Sequence, residues 1–201
     1  MPATKKVSRE EIIDAALEVL REGGFAAVNA RSVARKAGCS TQPIYLSFQN
    51  MEELKRIISE RAVAIHVRRV RDILRRHDDK DSCYSRYSRY SSYGIGFVKF
   101  AAEEKQLFRW LYLEGEQSGP YRTDVLLPEI IRVMEEEFGY SGEVAEKLHQ
   151  DMVYYSYGLA ILANTNHLEM TDTEILEAFR REFRALAAYY GVSPGQPEAA
   201  R

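Results

Sequence analysis

Val33-Ala34-Arg35-Lys36-Ala37-Gly38-Cys39-Ser40-Thr41-Gln42-Pro43-Ile44-Tyr45-Leu46-Ser47-Phe48 reads as two short helices on either side of a tight turn. Asn29 is placed to cap the first helix, which buries Val33, Ala34 and Ala37 and stops at Gly38. Ser40 reads as the cap of the next helix, which runs through Phe48 with Ile44, Tyr45 and Phe48 as its larger members. Pro43 then falls at the third helical position, where the amide it lacks would have no intrahelical partner. The small alanines let the two helices approach closely, which predicts a helix-turn-helix unit.

The flanking sequence completes a three-helix domain. Ser8 and Glu11 have capping-box spacing, and Val7 and Ile12 that of a hydrophobic staple. Ile12, Ile13, Ala16, Leu17 and Leu20 follow at helical intervals up to Gly23-Gly24, giving a first helix over 9–22. Asn50 and Glu53 begin a long fourth helix over 51–76, about 39 Å at 1.5 Å per residue. The expected organisation is a DNA-binding-type domain over 1–50 continued by this helix, a larger helical domain over 77–190, and a frayed tail over 191–201.

His77-Asp78-Asp79-Lys80-Asp81-Ser82 is the clearest break. Beyond it, Tyr84, Tyr87, Tyr90 and Tyr93 recur every three residues and would fan across about half of a helix's circumference. Helices are expected over 84–101, 103–115, 123–138, 143–164 and 173–190, with loops at Gly119-Pro120 and Gly139 and a cap at Thr171 or Asp172. No strand pattern is evident, so the predicted class is all-α.

Composition narrows the function classes. The net charge of −2 conceals an asymmetry: residues 1–77 carry 15 Lys and Arg against 9 Asp and Glu, and residues 78–201 carry 13 against 21. The positive charge accompanies the helix-turn-helix. Apolar runs are far shorter than the roughly 20 residues that span a bilayer, and the start does not read as a signal peptide, so a cytoplasmic location without membrane association is expected. Cys39 and Cys83 are expected as free thiols. His66, His77, His149 and His167 lack ligand spacing, so neither metal nor cofactor is expected. Arg68, Arg69, Arg71, Arg75 and Arg76 read as the solvated face of a long helix.

The segment from Val7 to about Leu54 resembles the TetR/AcrR family of bacterial transcription regulators. The resemblance rests on Ile12-Ile13-Asp14-Ala15-Ala16, Gly24-Phe25, Val33 to Gly38, the Gly38 to Phe48 stretch and Glu52-Glu53-Leu54. It implies a dimer with one helix-turn-helix per subunit, a ligand-sensing helical domain, and dimerisation by the last two long helices. Two positions depart from the family pattern. Gln42-Pro43 replaces a common Gly-Thr pair, and Met51 stands where a Lys often begins the fourth helix; Lys55 or Arg56 supplies charge nearby.

A helix lying in the major groove presents its amino-terminal side chains to base edges. Thr41 and Gln42 are therefore the candidates for base contact, with Pro43 adding apolar contact to a thymine methyl. The resemblance implies that the Tyr45 hydroxyl reaches phosphate. Ser40, Asn29 and Arg31 lie where the helix starts offer amides and charge to phosphates, and Arg9 with Lys5 and Lys6 suggests a basic arm. Two such modules related by a twofold axis would read an inverted repeat in double-stranded DNA.

The candidate dimer interface is Tyr155, Leu159, Ala160 and Leu162 with Phe179, Phe183 and Leu186. A pocket for a small organic effector is expected to involve Phe97, Phe100, Trp110, Tyr112 and Tyr154, since tyrosine supplies a ring and a hydroxyl together. The predicted function is a repressor released by that effector and not an enzyme, because no nucleophile-base motif or phosphate-cradling loop is present. The alternatives are an architectural DNA-binding dimer without an effector and a helical enzyme with an attached DNA-binding domain.

Overall fold

Ser8 opens the first helix as the spacing requires, with a full reciprocal capping box to Glu11, and Val7 and Ile12 are both buried. The computed structural model describes residues 7–76, 87–114 and 126–193. Helices α1 (Arg9–Gly23), α2 (Ala30–Ala37), α3 (Gln42–Ser47) and α4 (Met51–Arg76) are followed by α5 (Arg89–Glu103) and α6 (Lys105–Phe108). A π-helical stretch Arg109–Glu114 comes next, then α7 (Leu127–Phe138), α8 (Gly142–Asn164) and α9 (Asp172–Tyr189). No strand occurs among the described residues, and the fold is all-α. Lys5, Lys6, the 77–82 break, Cys83, Tyr84, Gly119-Pro120, residues 123–125 and the tail beyond 193 lie outside the described residues.

The chain divides into two compact units, residues 1–65 with 104–119, and residues 66–103 with 120–201. These limits differ from those expected, because α4 is shared and the segment after α5 groups with the amino-terminal helices. In the first unit α1 packs most extensively on α2 and also against α3 and α6. Ile12, Leu20, Val33, Ile44, Leu54 and Leu107 close its core. The break expected between the helices over 84–101 and 103–115 falls at Glu104, whose backbone leaves helical angles (φ −108°, ψ 56°). Both Glu104 carboxylate oxygens accept from Arg21, each at 3.1 Å, which fastens the break to α1. The wider π winding sets Trp110 flat against Phe25, with centroids 3.4 Å apart, and its indole N–H donates to Ser59 Oγ on α4 at 2.9 Å.

In the second unit α5 is central, packed on α8, α9 and α7. Its serine-rich start forms a helix because the Glu137 carboxylate on α7 accepts the Arg89 and Tyr90 backbone amides at 2.7 and 3.1 Å. That supplies the acceptors a bare helix start lacks and places negative charge at its positive end. Gly94 is required by packing, since a Cβ there would stand 2.6 Å from the Phe179 ring. Of the tyrosines expected to fan around this helix, Tyr90 and Tyr93 lie on α5, the first buried and the second partly covered, while Tyr87 precedes the helix and Tyr84 lies outside the described residues. Asn164 donates to the Ala101 carbonyl at 2.9 Å, joining the end of α8 to α5.

Candidate nucleic-acid interface and ligand cleft

Gly38 ends α2 in the left-handed conformation (φ 67°, ψ 35°), and its amide returns to the α2 carbonyls. The turn delivers α3, which starts later than the sequence suggested. Thr41 occupies the cap position without a side-chain hydrogen bond, Pro43 falls in the first two helical positions, and Ser40 is exposed ahead of the helix. A Ser or Thr cap bonds the second or third helical amide, and with Ser40 as cap the third is Pro43, which has no N–H, so a Ser40 cap is left with the Gln42 amide alone. The first turn is closed instead by the Thr41 carbonyl, which accepts from Ile44 and Tyr45 at 3.2 and 3.4 Å.

α3 is only six residues long, yet its sides are sharply distinct. Ile44 and the following Phe48 are 1% and 3% exposed and anchor it to the core. Gln42, Tyr45 and Leu46, at i, i+3 and i+4, share the outward side. Tyr45 is 60% and Leu46 79% exposed, so the tyrosine is not a core residue. Leu46 had not been singled out from the sequence; its i+4 spacing from Gln42 was the available signal.

The remaining DNA candidates divide into engaged and available groups. Arg9 lies 4.7 Å over the Phe48 ring, pairs with Glu53 at 3.1 Å and reaches the Ser47 carbonyl, so it braces α1 against the end of α3. Asn29 caps α2 by accepting from the Arg31 and Ser32 amides, both at 3.1 Å. Lys55 pairs with Glu52 at 3.1 Å and lies over Phe25. Arg31 is exposed and forms no ion pair among the described residues; Arg35, unremarked in the sequence, is the same and lies one turn further along α2.

The residues expected at the dimer interface do not all face outward. Ala160 and Phe179 are buried within the protomer, and Phe183 lines a cleft described below. Tyr155, Leu159 and Leu186 are half-buried, and Leu162 is 42% exposed. The exposed stripe of α8 is instead Tyr154, Gly158 and Leu162, spaced by four, with open space around Gly158. Helical periodicity showed which residues are apolar but not which side of α8 meets α5.

The residues expected to share an effector pocket are divided between the two units. Trp110 and Tyr112 belong to the first unit, where Tyr112 stacks on Phe108. Phe97 and Phe100 belong to the second, packed around the buried His66 ring. Tyr154 is 54% exposed and its hydroxyl accepts from Gln150. Burial, and after it the charge of Arg69, lower the His66 pKa to about 3, so near neutrality the ring is uncharged.

The cleft of the second unit lies elsewhere, among α5, α8, α9 and the end of α7, with about 770 Å³ of space including its open mouth. Tyr90, Tyr93, Phe138, His149, Phe179 and Phe183 supply its aromatic surface. Tyr90 Oη and His149 Nδ1 are 3.0 Å apart. Desolvation lowers the His149 pKa to about 4 and raises that of Tyr93 to about 12, so near neutrality both are uncharged. The pair is a neutral hydrogen-bonding group within an apolar wall.

Comparison with known proteins agrees with this geometry. Residues 12–56 match the family model described as bacterial regulatory proteins, tetR family. No curated protein matches the sequence. Among solved structures, a transcriptional regulator from Rhodococcus sp. Rha1 is similar with a TM-score of 0.55 and 16% identity, over 90% of this chain and 97% of that one. SmeT, the repressor of the Stenotrophomonas maltophilia multidrug efflux pump SmeDEF, is similar with a TM-score of 0.55 and 17% identity, over 98% of both chains. Over residues 12–56 the amino-terminal helix-turn-helix of this chain is thus similar to that of the tetR family.

Proposed function

We propose that the chain is a transcription regulator, not an enzyme, which binds a double-stranded DNA operator as a homodimer and represses until a small organic effector releases it. The observation that carries this reading is the outward side of α3. A six-residue helix fixed by two buried anchors exposes Gln42, Tyr45 and Leu46, a combination of amide, phenol and apolar tip with no use inside the protomer. In a major groove, Gln42 meets adenine in two hydrogen bonds and Leu46 meets a thymine methyl, while the Tyr45 hydroxyl and Arg31 and Arg35 hold phosphates. Arg9, Asn29 and Lys55 act indirectly, by fixing the helices that carry these groups.

A single module reads only a few base pairs, so the operator is an inverted repeat read by two copies. The Tyr154, Gly158 and Leu162 stripe on α8 supports the dimer, because a glycine between two exposed apolar side chains lets helices approach closely. The cleft of the second unit supports effector binding, since it is concave and its lining mixes aromatic side chains with a few polar groups, as in organic ligand sites. Release follows if the effector binds more tightly to a conformation that cannot engage both half-sites, transmitted through α4, which is covalently continuous from one unit to the next. Repression is the role named for SmeT and is assigned here by analogy of fold.

The test is selection of bound duplexes from a random library with the full chain. Enrichment of one inverted repeat is expected. Recovery of a sequence-unrelated pool at all salt concentrations would reject specific regulation.

A further inference from the structure

The cleft of the second unit contains a charge pattern that its apolar walls do not need. Arg180 and Arg184, one turn apart on α9, both line it, and among the described residues no Asp or Glu does. Arg69, Arg71 and Arg89 each pair with a glutamate from another helix, and Lys99 with Asp172. Arg180 and Arg184 form no ion pair among the described residues. Arginines without an ion pair are not peculiar to the cleft, since Arg68, Arg132 and Arg181 of this unit also form none among the described residues; what sets Arg180 and Arg184 apart is that both line one concave, largely apolar surface.

Two guanidiniums beside a partly dehydrated apolar surface favour an anion with a planar pair of acceptor oxygens, because the fork of arginine donors matches a carboxylate in two parallel hydrogen bonds. The rest of the lining specifies the body of that anion. Phe138, Phe179 and Phe183 offer ring faces and edges, and the neutral Tyr90–His149 pair adds one polar contact without charge. Lining of this kind suits a flat aromatic framework.

We propose that the effector is an aromatic carboxylate, its ring system among Phe138, Phe179 and Phe183 and its carboxylate held by Arg180 and Arg184. The proposal rests on reading this cleft as the effector site and adds the chemical class of the ligand. The arginines supply specificity for charge, and the rings supply the area that excludes water.

The experiment is calorimetric titration of the full chain with 2-naphthoate, the isosteric 2-naphthamide and neutral 2-naphthalenemethanol. It is repeated on Arg180→Gln, Arg184→Gln and the double variant, with circular dichroism and melting to verify folding. The wild-type protein is expected to bind 2-naphthoate at least about tenfold more tightly than the amide, and the double variant to bind both at the amide's level. Equal affinity for acid and amide in the wild type, or undiminished preference for the acid in a folded double variant, overturns the carboxylate assignment. Binding of the neutral arenes without the acid overturns it too, while leaving the cleft as a ligand site. Failure of all three probes to bind rejects both the ligand class and the reading of the cleft.

Discussion

Gln42 and Leu46 stand one turn apart on the exposed side of α3, and their chemistry differs enough to be separated by substitution. Gln42→Ala is expected to cost about 1–3 kcal/mol at one base pair of each half-site and little elsewhere. Arg31→Ala is expected to weaken all sequences nearly equally and to flatten the salt dependence, which anisotropy titrations at several salt concentrations would show. Gly38 is a different kind of residue, important for its backbone alone. Gly38→Ala forces a side chain into the left-handed region at φ 67° and is expected to lower unfolding free energy by about 1–2 kcal/mol in denaturant melts. Space around Gly38 is open, so no clash adds to that cost.

At the scale of elements, two helices each bury a histidine in neutral form, His66 on α4 and His149 on α8. Their folded pKa values, about 3 and about 4, lie below the ordinary value of 6.5. The unfolded chain therefore binds more protons than the folded one below about pH 6.5, and stability falls as pH drops from there toward 4. Each histidine contributes up to about 1.4 kcal/mol per pH unit in that window. Chemical denaturation at pH 7, 6 and 5 should show the slope, and His149→Gln should reduce it; a stability independent of pH across this range contradicts the neutral, buried assignment. The π-helical stretch makes a separate prediction. Trp110→Phe keeps a ring against Phe25 but leaves the Ser59 hydroxyl without its donor, for an expected loss of about 1 kcal/mol.

Local signals carried most element boundaries in the sequence. The Ser8–Glu11 and Thr171–Glu174 capping boxes, the Asn29 cap and the glycines at 38 and 139 all stand where local chemistry places them. The start of α3 was misjudged because the missing amide of Pro43 was weighed only against the helix's own carbonyls and not as a donor lost to the Ser40 cap. A break after 101 was legible, whereas its seat at Glu104 depends on Arg21, 83 residues away in sequence, and the π winding carries no local signal. The same limit explains the sites. Exposed residues of α3 follow from one helix's periodicity, whereas the cleft needs α5, α7, α8 and α9 placed together, so aromatic content alone grouped Trp110 with Phe97.

Across the whole molecule, the proposed function depends on two protomers acting together. Tyr154→Glu with Leu162→Glu places charges on the exposed stripe of α8 and is expected to shift sedimentation from dimer toward monomer and to weaken operator binding in parallel. An unchanged dimer relocates the interface. The most direct test of the central claim, that the exposed side of α3 reads bases, is a specificity profile. Affinities of the wild-type chain and of Gln42→Ala are measured for duplexes in which each base pair of the selected half-site is exchanged in turn. The account predicts that the variant loses discrimination at one position, symmetrically in both half-sites, and retains it at the others. An identical profile for the two proteins would contradict it.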